Sequence, residues 1–187
     1  MKNDQQPDEE AIIRQCLEGD KDSYSTLVDR YKKMIYNVAY RMVGDEDTAK
    51  DLAQESFISA YSGLAQFRFG SKFSSWLYRI ALNKCRDHLR LLKETVSTDE
   101  ITDSIPDRGL SPERAAAAGQ DKDLLQQALG TLPADYREAL ILKHIEELDY
   151  QEISAITGTS IAALKVRAHR GREMLRKILE EAGVTHG

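Results

Sequence analysis

Apolar residues recur at intervals of three or four positions along most of this 187-residue chain. That spacing places them on one face of an α-helix. A clear run of this kind consists of Tyr24, Leu27, Val28, Tyr31, Ile35, Val38 and Met42. No stretch shows the strict alternation of apolar and polar residues that is typical of a half-buried strand. The pattern therefore predicts an all-α fold.

Local signals place the helix boundaries in the first half of the chain. Gly44 is expected to end the first helix, and Asp45 to begin the next with acidic residues in its first turn. Residues 67–71 (FRFGS) interrupt the pattern before a third helix. The residues expected to face the core from these two later helices are Ala49, Leu52, Ala53, Phe57, Ala60 and Leu64, and then Trp76, Leu77, Ile80, Ala81 and Leu89. The first half is predicted to be a helical bundle.

The segment from residue 94 to residue 123 has a different composition. Apolar residues become rare there, and eight acidic residues stand against three basic ones, a net charge of −5. Because this equals the net charge of the whole chain, the rest is near neutral. Such a composition indicates a flexible acidic linker. We therefore predict two small helical domains, residues 1–93 and residues 124–187, joined by residues 94–123.

The second domain carries the signals of a helix-turn-helix. Asp149 followed by Glu152 has the spacing of a capping box, which predicts the start of a short helix. Gly158 suits a left-handed residue after that helix, and Ser160 suits the N-cap of a longer one. A short helix, a glycine-containing turn and a longer helix form the helix-turn-helix pattern.

The last helix has two distinct faces. The side expected to pack on the domain consists of Ile161, Leu164, Ala168, Gly171, Leu175 and Ile178. The opposite side presents Ala162, Val166, His169 and Arg170, where small residues allow close approach to a DNA groove and cations reach phosphates or base edges. A solvated basic face is the alternative. The acidic net charge does not exclude DNA binding, because affinity depends on where the cations lie.

Five segments carry a resemblance to a known family. They are residues 51–57 (DLAQESF), 73–83 (FSSWLYRIALN), 132–137 (LPADYR), 150–154 (YQEIS) and 165–172 (KVRAHRGR). The first two resemble region 2, and the others region 4, of the extracytoplasmic-function (ECF, group 4) sigma factors of the sigma-70 family. The resemblance implies a factor that binds core RNA polymerase and directs transcription initiation from specific promoters.

The resemblance implies a polymerase-binding surface on the second predicted helix. By it, Asp51, Gln54 and Glu55 face the β′ clamp helices of core RNA polymerase. Their spacing places all three on one helix surface. An ordinary solvated acidic patch is the alternative.

Region 2 of the family melts and reads the −10 element. The residues expected to take part here are Phe67, Arg68, Ser71, Arg79, Asn83 and Arg86. By resemblance, Phe67 and Asn83 help to form a pocket for a flipped base, whose exposed face and edge such groups capture. Phe67 as a loop anchor remains an alternative, and Phe73 and Trp76 are expected in the core.

Region 4 of the family reads the −35 element through the final helix. The resemblance points to Lys165, Arg167, His169 and Arg170, although the helical wheel places Arg167 nearer the packed side, where a phosphate is an alternative target. Many relatives have Ser at the position of Val166, which can only offer an apolar contact such as one to a thymine methyl. We therefore expect a different −35 preference.

The resemblance also implies partners. The family contacts core RNA polymerase through the β′ clamp helices and the β flap, binds promoter DNA, and is held by an anti-sigma factor that is often membrane-bound. The linker is expected either to mimic nucleic acid in polymerase channels or to be a featureless tether.

Several function classes find little support. We expect no cofactor, no metal site and no catalytic residue, since no phosphate loop, nucleophile–base pair or metal-ligand cluster is present. Cys16 and Cys85 are expected to be buried reduced thiols. A cytoplasmic location is expected, because the N-terminus lacks a signal-peptide core and no apolar stretch approaches the roughly 20 residues of a membrane span. The alternatives are a stand-alone helix-turn-helix regulator with a ligand-sensing bundle and a helical interaction protein.

Overall fold

In the computed structural model of the protein, residues 8–99 and 120–183 are described. Within these two ranges the chain forms helices and no strand, which confirms the all-α prediction. The first range contains α1 (Glu9–Leu17), α2 (Lys21–Val43), α3 (Glu46–Ser62) and α4 (Phe73–Asp99). A short 3₁₀ helix (Leu64–Gln66) follows α3 and leads into the loop before α4.

The second range contains four α-helices. They are α5 (Gln120–Thr131), α6 (Ala134–Leu140), α7 (Tyr150–Thr157) and α8 (Ile161–Glu181). A π-helical turn (Ile141–Ile145) continues α6, and the backbone N–H of Glu146 donates to the carbonyl of Ile141 at 2.9 Å.

Two helices extend into the segment predicted to be a linker. α4 continues to Asp99 and α5 begins at Gln120, so the outer parts of residues 94–123 are helical. Residues 100–119 lie outside the described residues. The boundaries of the linker and of the two domains therefore remain predictions.

The helix ends follow the local sequence signals. Gly44 ends α2 with a φ of 82°, and the Asp45 side chain accepts a hydrogen bond from the backbone N–H of Thr48 at 2.8 Å. Asp149 and Glu152 form the predicted capping box, and Gly158 ends α7 with a φ of 72°. The helix-turn-helix is therefore built as the sequence indicates.

The first four helices share a core. Leu27, Ile35, Phe73 and Leu77 lie in it with no exposed side-chain surface. The sequence analysis did not predict α1, whose inner face buries Ile12, Ile13 and Cys16. Burying an aliphatic side chain of this size contributes about 1.5–3 kcal/mol, so α1 adds substantially to the stability of the bundle.

The helix-turn-helix packs against that bundle. Ile141, Leu142, Ile153 and Ile156 are buried in the same apolar cluster as the residues of α2, α3 and α4. α7 lies against α4, and α5 lies against α2. The two halves thus share one continuous core.

The predicted packed face of α8 is largely correct. Leu164, Ala168 and Gly171 are buried, whereas Ile161 is 37% exposed and does not belong to that face. Ile161 is the first residue after the N-cap Ser160. A Cβ on Gly171 would lie 3.1 Å from Leu140 and 3.2 Å from the carbonyl oxygen of Tyr136, so this glycine allows α8 and α6 to approach closely.

The two cysteines are buried free thiols, as predicted. Burial raises the pKa of the Cys85 thiol from its ordinary 9.0 to about 12. Burial also raises the pKa of Cys16, with Asp20 as a second cause. Among the described residues, no helix is long and apolar enough to cross a membrane.

Candidate nucleic-acid interface

The outer face of α8 is exposed along its first three turns. Lys165, Val166, His169 and Arg170 are all exposed, and the Val166 side chain is 49% accessible. Beside them, a groove of about 520 Å³ runs between the start of α8 and the start of α6. Its lining includes Asp135, Tyr136, Ala162, Val166 and Arg170. Small side chains along a groove edge permit close approach to DNA.

Arg167 is oriented differently from its neighbours on α8. Its guanidinium lies 3.0 Å from the Asp135 carboxylate and donates a hydrogen bond to Thr159 Oγ1 at 3.3 Å. These contacts tie α8 to α6 and to the turn before α8. The position agrees with the helical wheel, which places Arg167 nearer the packed side.

Further cations surround the start of α8. The Nζ atoms of Lys143 and Lys165 lie 5.2 and 5.9 Å from the centre of the Tyr150 ring. Burial lowers the pKa of His144, and the nearby charges of Arg172 and Lys143 lower it further. Basic side chains therefore lie on and beside α8, although the chain as a whole is acidic.

The residues predicted to bind the polymerase clamp share the exposed face of α3. Asp51, Gln54 and Glu55 are all exposed, and Glu55 pairs with Lys84 of α4 at 3.1 Å. A groove of about 310 Å³ lies beside them, between α2 and α3. Its apolar walls include Val28, Tyr36, Ala53 and Phe57. Lys32, Lys50 and Gln54 edge this groove, and an apolar groove with such a polar edge is suited to a partner helix.

The loop before α4 contains an aromatic cluster. The ring of Phe67 is only 7% exposed and lies 5.5 Å from the Trp76 ring and 5.7 Å from those of Phe69 and Phe73. Phe69 is 39% exposed, with the Arg14 guanidinium 4.5 Å from its ring centre. In this arrangement Phe67 occupies the position of a loop anchor, the alternative that the sequence left open.

The two polar loop residues predicted to contact the −10 element are exposed. Ser71 Oγ donates a hydrogen bond to the backbone carbonyl of Arg68 at 2.7 Å, which tightens the turn. The Arg68 side chain is left on the surface of the loop. Both residues lie beside the N-terminal end of α4.

Three further predicted −10 residues lie on one face of α4, and that face meets the second half of the chain. The Arg86 guanidinium donates two hydrogen bonds to the Glu138 carboxylate, each at 2.7 Å, and a third to the Asn83 side chain at 2.8 Å. Arg79 donates to the carbonyl of Ile156 at 3.2 Å and also to that of Ala155. Arg86 and Arg79 are therefore in contact with α6 and α7, whereas the exposed Asn83 side chain contacts Arg86 within α4.

The acceptors on the second half were not found by sequence reasoning. Glu138 is 4% exposed, Glu146 accepts a hydrogen bond from Tyr78, and Glu152 pairs with Lys72. One signal was available for Glu138, which immediately precedes the apolar run Ala139–Leu142. A charged side chain on the inner side of a helix is rarely buried without a partner.

Two sequence models match this chain. The model of Sigma-70 region 2 matches residues 27–95, and the model of Sigma-70, region 4 matches residues 122–175. The ECF RNA polymerase sigma factor SigW of Bacillus subtilis is 40% identical over 90% of this chain and 95% of its own length. The RNA polymerase sigma-H factor of Pseudomonas aeruginosa is 33% identical over 94% of this chain and 95% of its own length.

Solved structures resemble the fold of both halves together. The sigma factor RpoE of Bartonella quintana, in complex with the anti-sigma factor NepR, matches with a TM-score of 0.68 and 26% identity over 84% of this chain and 96% of that one. CnrH, in complex with the cytosolic domain of CnrY, matches in fold with a TM-score of 0.65 and 24% identity over 91% of this chain and 96% of that one.

Proposed function

Because this chain belongs to the sigma-70 family as an ECF sigma factor, we propose that its first half binds core RNA polymerase and opens the −10 element, while its second half reads the −35 element. The protein is a DNA-binding factor for transcription initiation. The proposed roles of the two halves rest on the order of the two regions along the chain. Each region corresponds to a helical unit with its own exposed surface.

The second half is suited to a DNA major groove. Its recognition helix α8 begins at a capped turn and presents Val166, His169 and Arg170 outward, with Lys165 beside them. A guanidinium recognises the O6 and N7 atoms of guanine, and an apolar side chain contacts a thymine methyl. In this proposal Arg167 positions α8 through Asp135, and reaches a phosphate rather than a base.

The first half offers separate surfaces to polymerase and to single-stranded DNA. For the clamp helices we assign the exposed face of α3, with Asp51, Gln54 and Glu55 beside the apolar groove. For the −10 element we assign Arg68 and Ser71 in the loop and Arg79, Asn83 and Arg86 on α4, with Phe67 supporting the loop from beneath. Cations and amides of this kind hold a displaced strand by its phosphates and base edges.

Control by an anti-sigma factor follows from the relatives. RpoE and CnrH were each solved with a protein bound, NepR and the cytosolic domain of CnrY. We infer that an anti-sigma factor also binds this chain, and we propose that it covers the polymerase-binding surface. The chain then acts in the cytoplasm, has no catalytic activity of its own, and leaves RNA synthesis to the polymerase.

The proposal is tested by transcription in vitro with purified core polymerase and a promoter library. Wild-type chain, Asp51→Ala and Arg170→Ala are compared, with Glu180→Ala, an exposed acidic residue near the end of α8, as the control. We expect transcripts that require the added chain, weaken in the first two variants and persist in the control. If no transcripts form while the chain alone binds duplex DNA, a stand-alone regulator replaces this function.

A further inference from the structure

In this structure, the face of α4 that is assigned to the −10 element is in contact with the second half of the same chain. That half places α6 and α7 against α4. The contact combines a shared apolar core with several polar pairs. The polar pairs involve α4 residues that are assigned to the −10 element, so the contact bears on DNA binding.

The strongest of these pairs joins Arg86 of α4 to Glu138 of α6. Both carboxylate oxygens of Glu138 accept a hydrogen bond from the guanidinium at 2.7 Å. The Glu138 side chain is 5% exposed and that of Arg86 is 33% exposed, so water competes little for this pair. A bidentate arginine–carboxylate pair is among the strongest polar contacts in proteins.

A second contact joins Arg79 to the end of α7. Its guanidinium donates to the carbonyls of Ala155 and Ile156, in the last turn of that helix. Carbonyls at a helix C-terminus lack partners within the helix and carry partial negative charge. Arg79 thus makes with α7 the kind of contact that it would otherwise make with a phosphate oxygen.

Two outer pairs extend the contact, one from α4 itself and one from Lys72, the residue just before α4. Tyr78 donates its hydroxyl hydrogen to the Glu146 carboxylate, and Lys72 forms an ion pair with Glu152. In each pair the α4 side supplies the donor and the second half supplies the acceptor. The second half therefore presents a set of acceptors to α4, as a nucleic-acid strand would.

We propose that this arrangement is a closed state in which the second half competes with single-stranded promoter DNA for Arg79 and Arg86. The inference rests on the assignment of these residues to the −10 element. The two N–H groups that Arg86 donates to Glu138 are not available to a phosphate, so the strand gains them only after α6 and α7 leave α4. The apparent dissociation constant is then the intrinsic one divided by the open fraction.

The first experiment measures binding of the full-length chain to a fluorescently labelled, mixed-sequence single-stranded oligonucleotide. Glu138→Gln removes the charge that holds Arg86 without altering Arg86 itself. If the closed population of wild type is about ten times the open population, and the variant is open, the variant binds the oligonucleotide about tenfold more tightly than wild type. Glu180→Gln makes the same change of net charge at an exposed site in α8 away from α4, and we expect its affinity to stay within about twofold of wild type.

A second variant guards against loss of folding in the first. Glu152→Gln removes the ion pair with Lys72 and keeps the capping box, because glutamine also serves at that position. We expect a smaller gain in affinity, about threefold, in line with a more exposed pair. Small-angle X-ray scattering of the free chains should show a larger radius of gyration for Glu138→Gln than for wild type and Glu180→Gln.

The outcomes separate this inference from the proposed function. Unchanged oligonucleotide affinity and unchanged radius of gyration in both folded variants overturn the closed state, even where wild type supports promoter-specific transcription with core polymerase. If Glu138→Gln does not fold, the oligonucleotide affinity and the radius of gyration of Glu152→Gln test the closed state instead. Absence of transcription with wild type overturns the proposed function instead.

Discussion

The carboxylate of Asp135 lies 3.0 Å from the guanidinium of Arg167, and this ion pair joins α8 to the start of α6. Thr159 Oγ1 accepts a second hydrogen bond from the same guanidinium at 3.3 Å. Arg170, three positions further along α8, is exposed beside the groove. Two nearby arginines on one helix therefore differ in their contacts: Arg167 is paired within the protein, and Arg170 is exposed, as the proposed recognition of DNA requires.

Substitution of each arginine should separate these roles. Arg170→Ala is expected to cost about 1–3 kcal/mol of binding to the preferred promoter and to weaken the dependence on the −35 sequence. Arg167→Ala is expected to cost less than about 1 kcal/mol and to retain that dependence, because its exposed pair contributes mainly to orientation. Transcription in vitro from a set of −35 variants measures both effects. Equal loss of sequence dependence in the two variants would contradict the assignment.

The exposed face of α3 allows a test of polymerase binding. Asp51→Ala should weaken binding to core polymerase by about 1–2 kcal/mol, because it removes a charge from the exposed face of α3 that we assign to the clamp helices. Asp22→Ala, which removes an exposed aspartate near the start of α2, is the control and should leave the affinity unchanged. A titration of labelled chain with core polymerase gives both dissociation constants. Similar losses in the two variants would indicate a general charge effect.

Much of the fold follows from local sequence signals. Gly44, Asp149, Gly158 and Ser160 mark helix ends through interactions within a few residues, and all four are found as predicted. The short helix α1 was missed although Ile12, Ile13 and Cys16 follow helical spacing, because nine residues are marginal as a helix by themselves and its stability comes from packing on α2. Contacts of that kind depend on parts of the chain that are distant in sequence.

The candidate surfaces were predictable to different degrees. The outward face of α8 follows from helical periodicity, since Val166, His169 and Arg170 are exposed as the wheel indicates. The pair between Arg86 and Glu138 joins residues 52 positions apart, and no local pattern specifies it. Neither residue type nor spacing reveals which face of α4 will meet α6.

Alanine substitutions at two glycines of the second half should have opposite effects on stability. Gly158 has a φ of 72°, where a Cβ costs about 1–2 kcal/mol, so Gly158→Ala should lower the melting temperature. Gly130 lies within α5, and a Cβ there would meet no atom within 4 Å, so Gly130→Ala should stabilise the chain by about 0.5–1 kcal/mol. Thermal unfolding should show shifts of about 2–4 °C per kcal/mol. Shifts of the same sign would refute the backbone argument.

The buried thiol of Cys85 predicts a loss of stability at alkaline pH. Burial raises the pKa of Cys85 from 9.0 to about 12, so the folded chain keeps a proton that the unfolded chain releases. The contribution to stability is full below pH 9 and is lost as pH rises towards 12, with a limiting slope of about 1.4 kcal/mol per pH unit. Tyr31, whose pKa rises from 10.0 to about 12 through burial and then through Glu9, acts in the same direction at higher pH.

The measurement for this effect is the free energy of unfolding between pH 8 and pH 10. Cys85→Ala removes the thiol and should flatten the decline that begins near pH 9, whatever its effect on stability at neutral pH. Thiol titration provides an independent check, since Cys85 should react with a thiol reagent only after unfolding. An unchanged slope in Cys85→Ala would assign the alkaline decline to the tyrosines.

The aromatic loop distinguishes a base-capturing side chain from a loop anchor. Phe67 is buried among Phe69, Phe73 and Trp76, so Phe67→Ala should lower the free energy of unfolding by about 3–5 kcal/mol. Phe69→Ala removes a partly exposed ring from the same loop and should cost clearly less. Chemical denaturation of both variants, followed by permanganate footprinting of promoter opening in folded samples, measures the two roles separately. If Phe67→Ala retains wild-type stability but loses promoter opening, the ring leaves the cluster to contact a base; if the stability loss is found, the loop presents Arg68 and Ser71 to DNA from a rigid aromatic base.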